Sequence, residues 1–188
     1  MLKRLKTVFV LSAVVICSFS VSAQKDFEIR KIWIDTNLQI EEIGQRSSGL
    51  NSVTSLGKKH FWAAIYVDYR SLPLWADDVK LVYYVALGTG SKSEILYGEE
   101  NYVNVEKAIS HKAIMYIPPQ VMARYGDVQK ITVDIYYQDR LQDSQNFRFA
   151  GSKQWWKEKK LVKGLLKTKK DSPFALDNFN EYELVREQ

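Results

Sequence analysis

The sequence predicts a mainly β protein, an antiparallel sandwich of about seven to eight short strands. Val128 to Tyr137 alternates strictly, with Ile131, Val133, Ile135 and Tyr137 on one side and Thr132, Asp134 and Tyr136 on the other, which is the period of a half-buried strand. The same period of two recurs in Phe61, Ala63, Ile65, Val67 and Tyr69, and again in Leu81, Tyr83, Val85 and Leu87. Turn residues separate such runs at regular spacing, and no long helical stretch intervenes, which points to an immunoglobulin/fibronectin type III-like β-sandwich with a short C-terminal helix or irregular extension. A Greek-key barrel is the alternative architecture.

The chain opens on Lys3, Arg4 and Lys6, an apolar run from Val8 to Ile16, and Val21-Ser22-Ala23 before Gln24. That is the anatomy of an export signal peptide over residues 1–23, with cleavage expected after Ala23. The apolar run is too short to cross a bilayer comfortably, and nothing later reaches the roughly 20 residues a spanning helix needs. The expected location is the periplasm, the outer surface or the medium, with no transmembrane segment in the mature chain. Cys17 raises lipidation as an alternative, but Val14-Val15-Ile16 before it are branched, where a lipoprotein signal wants a small residue.

Cleavage removes the only cysteine, so neither a disulfide nor a thiol nucleophile is expected. Cohesion must then come from burial, worth roughly 1.5 to 3 kcal/mol per large apolar side chain. Removing 23 of the 188 residues leaves 165, which suits one sandwich domain over residues 24–151 and an extension over 152–188. The leader holds three of the 27 cations and none of the 22 acids, so the mature charge is only +2. Nucleic acid is therefore not an expected partner.

Taken in order, Phe27 to Ile40 reads as a long first strand with a bulge at Lys31-Ile32, and Gly44 to Lys59 as a polar loop. The second strand is His60 to Arg70, followed by a turn through Pro73 and Asp77-Asp78. Val79 to Leu87 is the third, closing at a glycine-bearing hairpin over Gly88 to Ser91. Glu94 to Tyr97 and Tyr102 to Val105 read as two short runs split by Gly98-Glu99-Glu100-Asn101. His111 to Ile117 is a strand ended by Pro118-Pro119, and Gln120 to Tyr125 one helical turn closed by Gly126. After Val128 to Tyr137, Arg140 to Ser144 is expected to turn the chain into Gln145 to Phe149.

From Lys153 to Lys170 there are eight lysines and one acid, Glu158. On a helical projection Trp155, Leu161, Val162, Leu165 and Leu166 share a side and Lys157, Lys160, Lys163 and Lys167 spread over the other. Gly164 weakens that helix, and a strand over Leu161 to Lys167 is the alternative. The aromatic tail beyond is apolar enough to dock on the sandwich.

No residue constellation in the sequence names a reaction. His60 and His111 each start a predicted strand and read as solvated strand ends, with no acid at ligand spacing. No nucleophile elbow, zinc-protease helix, phosphate loop or dinucleotide fingerprint occurs. Asp77-Asp78, Glu99-Glu100, Asp139 and Asp143 read as turn acids, without a calcium-loop signature. The expectation is a non-enzyme with no cofactor and no metal. Trp62, Tyr66, Tyr84, Tyr116 and Tyr136 fall opposite the apolar rows; they would stack on a glycan or pack a second layer, and packing is preferred because the tail brings Trp155, Phe174 and Phe179. The candidate partner-binding residues are Trp62, Tyr66, Trp156, Lys157, Lys160 and Lys163.

The opening Phe27-Glu28-Ile29-Arg30-Lys31-Ile32-Trp33-Ile34 and the closing Leu165-Leu166-Lys167-Thr168-Lys169-Lys170-Asp171-Ser172-Pro173-Phe174-Ala175 resemble the small exported immunoglobulin-like proteins encoded beside type IV pilus-like assembly genes in mucin-layer gut bacteria. The resemblance implies a monomeric, non-catalytic cell-surface or periplasmic protein whose partners are other envelope or pilus-like proteins. A module for host glycans is the alternative.

Overall fold

The computed structural model describes residues 25–38, 61–88, 93–148 and 154–175. Among these described residues, ten strands and one helix run in the order β1 (Phe27–Leu38), β2 (Trp62–Ser71), β3 (Trp75–Ala76), β4 (Val79–Leu87), β5 (Glu94–Tyr102), β6 (Val105–Glu106), β7 (His111–Ile117), α1 (Pro119–Tyr125), β8 (Val128–Tyr137), β9 (Arg140–Phe147) and β10 (Leu161–Lys163). A three-stranded sheet, β1-β2-β7, faces a five-stranded sheet, β10-β5-β4-β8-β9, and β3-β6 makes a small ribbon. Every pairing is antiparallel except the parallel addition of β10 to β5. The protein is a mostly antiparallel β-sandwich.

Alternation decides which side chains face the core. Ala63, Ile65, Val67 and Tyr69 of β2, Val79, Leu81, Tyr83, Val85 and Leu87 of β4, and Ile131, Val133 and Ile135 of β8 are all buried in one continuous cluster. Pro119 opens α1 and Gly126, at φ 90°, closes it with its N–H on Met122 O.

Four local readings change. The β1 bulge falls between Ile29 and Lys31, one step earlier than the alternation suggests. β5 is a single strand through Gly98-Glu99-Glu100-Asn101 rather than two runs. The β8–β9 connection is a two-residue turn at Gln138 (φ 48°) and Asp139 (φ 59°), so Arg140 already begins a strand. The Trp75–Ala76 ribbon was not expected. Ile40, His60 and the loop over residues 44–59 lie outside the described residues.

Both flanks of the sandwich are closed. On one, β9 side chains sew β1 in place: Gln142 Oε1 accepts from Asp26 N at 3.1 Å, Asp143 Oδ2 accepts from Ile29 N at 3.0 Å, and Gln145 Nε2 donates to Ile29 O. On the other, the C-terminal segment adds β10 to β5, then crosses to β7, where Lys167 and Tyr116 exchange N–H···O bonds of 2.8 and 2.9 Å. The strand alternative for this basic stretch is thus realised at Leu161–Lys163, with a single bridge at Lys167 and no helix among the described residues of the segment.

Candidate functional site

Outward positions of β1, β2 and β7 gather aromatics on one face. Trp33 stacks on Tyr66 with ring centroids 5.0 Å apart, and the Lys31 ammonium lies over Trp33. Farther along, Phe174 of the C-terminal segment stacks on Tyr116 at 5.1 Å, and Trp62 meets both rings edge-on. Ala64, Ile114, Tyr116 and Phe174 are buried there, and Trp62 and Tyr66 are half-buried.

The opposite face carries the second half of the candidate set. Trp156 lies on Tyr84 at 4.1 Å and is 8% exposed, so its ring is largely spent on this contact. Trp155 Nε1 donates to Thr132 Oγ1 at 2.8 Å, and that hydroxyl donates to Asn146 Oδ1 at 2.6 Å. Burial, with Asp134 nearby, pushes the Tyr84 phenol up to about 12. Lys163 sits over Tyr97, and Lys157, Lys160 and Lys163 are exposed. The six predicted residues therefore divide between two outer faces: Trp62 and Tyr66 on one, Trp156, Lys157, Lys160 and Lys163 on the other.

The interior holds two polar arrangements that composition does not announce. His111 is buried, not a solvated strand end: its Nε2 lies 2.9 Å from Ser71 Oγ and its ring stacks on Tyr69. This has the look of a nucleophile and its base, but the Ser71 hydroxyl already donates to Glu106 O at 2.6 Å. It accepts from Ala108 N at 3.2 Å, so His111 Nε2 serves as a donor to it. The pair braces the β3–β6 ribbon instead of activating an oxygen.

Glu100 is the other. It points inward from β5, 3% exposed, with Oε2 accepting from Tyr102 OH at 2.7 Å and Oε1 without a partner among the described residues. Desolvation raises its carboxyl from 4.5 to about 7, against the lowering influence of Tyr102 and Lys170. Asp143 is not a turn acid either, since it lies within β9, buried, and pairs with Lys25 at 2.7 Å.

Two surfaces face solvent in a form a partner could use. The β3–β6 ribbon holds out Leu74 and Trp75, with Ile109 just beyond it, at 76%, 62% and 76% exposure. Its backbone is tied down by Lys107 N to Leu74 O, Asn104 N to Asp77 Oδ1, and Arg30 Nη1 to Ile109 O, at 3.0, 2.8 and 3.2 Å. A polar hollow of about 450 Å³ is lined by Asp78, Lys80, Asn101, Gln138 and Asp139. The Lys80 ammonium of this hollow also lies over Tyr136, 5.6 Å from its ring centroid. Among the described residues no group of three or more His, Cys, Asp or Glu could hold a metal, and no helix is long and apolar enough to cross a membrane.

A protein-family model carrying a "-like" description matches residues 68–188, more than half of the sequence and all of the C-terminal segment. The chain belongs to that family. No curated protein matches it in sequence. Among solved structures, the crystal structure of a protein from Akkermansia muciniphila aligns with a TM-score of 0.68 at 17% identity, covering 86% of this chain and 93% of that one. This chain and that protein share a fold.

Proposed function

We propose that this chain is an exported, monomeric, non-catalytic interaction protein of a type IV pilus-like or cell-envelope assembly. Family membership and the opening and closing motifs support that setting. The observation that carries the interaction reading is the tip of Leu74, Trp75 and Ile109, large apolar side chains held in solvent by a braced ribbon. A tip held by backbone hydrogen bonds and a buried Ser71–His111 pair loses little entropy when a partner covers it, which is what a binding anchor requires. The exposed Lys157, Lys160 and Lys163, with the half-buried Trp62 and Tyr66, are assigned supporting contacts at separate faces.

Cross-linking and co-purification of the tagged mature protein from envelope fractions test this. Envelope or pilus-like partners should be recovered, and Trp75→Ala or Leu74→Ala should lose them while unfolding at the same temperature as the parent. Recovery of the same partners by both variants would refute the tip as the anchor.

A second reading, a glycan-binding module, is favoured by the hollow of Asp78, Lys80, Asn101, Gln138 and Asp139 beside Tyr136. Carboxylates, amides and an aromatic face are the groups that recognise sugar hydroxyls and ring faces. Glycan-array signal lost on Asn101→Ala supports it, and an array without signal removes it.

A further inference from the structure

The polar hollow is built from a cross-strand row and two turns. Register sets Asn101 of β5 and Tyr136 of β8 on either side of Lys80 of β4, all three on the outward face of the five-stranded sheet. Asp78 (φ 65°), Gln138 (φ 48°) and Asp139 (φ 59°) close its end from left-handed turn positions. At about 450 Å³ it falls in the range of ~300 to 1,000 Å³ usual for small-molecule sites.

The hydrogen-bonding groups still open decide what it can hold. Lys80, the one cation in the lining, is already engaged, with its Nζ 3.6 Å from Asp139 Oδ1 and over the Tyr136 ring. Gln138 Nε2 donates to Tyr137 OH at 3.4 Å, which leaves its Oε1 to accept. Asp139 is 93% exposed and keeps Oδ2 as an acceptor, and Asp78 adds a second carboxylate. Asn101 makes no side-chain hydrogen bond among the described residues, so its amide offers both donors and an acceptor. Acceptors outnumber donors, and two carboxylates outweigh one ammonium.

We infer that this hollow takes a neutral saccharide, read through its hydroxyl donors, and rejects sialylated and sulfated sugars. The inference rests on the glycan-binding reading and adds to it the class of sugar. Hydroxyls donate to Asp139 Oδ2, Gln138 Oε1 and Asn101 Oδ1, while Asn101 Nδ2 donates back to a hydroxyl oxygen. The anionic group of a charged sugar brings acceptors alone. It would face Asp78 and Asp139 and find the one lysine already paired, so repulsion and unmatched acceptors both count against it.

The test is an array that prints each neutral glycan beside its sialylated and sulfated counterparts, probed with the mature protein. Binding to the neutral member of a set is expected to exceed binding to its charged counterparts by at least about tenfold. Titration of the labelled protein with the strongest neutral glycan should shift the Lys80 and Asn101 amides. Asp78→Asn combined with Asp139→Asn keeps side chains that tolerate the left-handed turns, so folding is not at issue, and removes both carboxylate charges. That variant should bind the charged counterparts within about threefold of the neutral ones. Charged glycans bound as well as neutral ones by the parent, discrimination that survives the double substitution, or amide shifts confined to another face would each overturn the inference while leaving glycan binding in place. An array without any signal removes the glycan-binding reading and this inference with it.

Discussion

Gly98 and Leu166 interlock: a β-carbon on Gly98 would lie 3.0 Å from both Cβ and Cδ1 of Leu166. A glycine in a strand interior ordinarily weakens the sheet, yet here it makes the space that the C-terminal segment fills. Gly98→Ala should therefore destabilise rather than stabilise, by about 1 to 3 kcal/mol, because Leu166 has to leave its seat. Chemical denaturation measures this. A variant more stable than the parent would show that Leu166 moves aside freely.

Asp143 ties β9 to β1, taking Lys25, just ahead of β1, on one oxygen and the Ile29 amide on the other. Asp143→Ala leaves that buried amide at a bulge without an acceptor. A loss of about 1 to 3 kcal/mol is expected. Lys25→Ala removes only the half-exposed partner and should cost less than about 1 kcal/mol.

Ser71→Ala leaves Glu106 O, Ala108 N and His111 Nε2 each short of one partner. The expected cost is about 1 to 3 kcal/mol, with faster exchange at the ribbon amide of Lys107 than in β4. Uniform change across the molecule would remove this pair from its bracing role.

Glu100 gives a pH signature in global stability. Its folded-state carboxyl ionises near 7 against an ordinary 4.5, so the stability present below 4.5 is lost progressively as pH rises toward 7 and levels off above it. The parent should lose about 3 kcal/mol relative to Glu100→Gln over that window. Parallel stability curves for the two proteins would exclude a raised carboxyl.

The strands that pack on the core by simple alternation were legible: Val79–Leu87, His111–Ile117 and Val128–Tyr137 have the bounds their patterns imply. β5 was not, because its inward row reads Leu96, Gly98, Glu100, Tyr102, and a glycine and a glutamate look like a break. They face inward only because Leu166 and Tyr102, one of them 68 residues away, complete them. Asp143 misled for the same reason, since its partners Lys25 and Ile29 come from the far end of the chain. The outward aromatics were legible as a class, while the two faces they divide between depended on a sheet order that single-strand patterns do not contain. The braced tip could have been suspected from Leu72-Pro73-Leu74-Trp75, a run too apolar for an ordinary turn.

The exchange of hydrogen bonds between Tyr116 and Lys167 also sets an order of events. In a chain delivered N-terminus first, β5 and β7 are complete long before the residue that covers them arrives, so the sandwich must wait with a sticky edge on view. A chain interrupted ahead of Lys167 never escapes that stage. Its fate is then decided by collision with neighbours rather than by its own core, and the closing residues act as the molecule's protection against self-association.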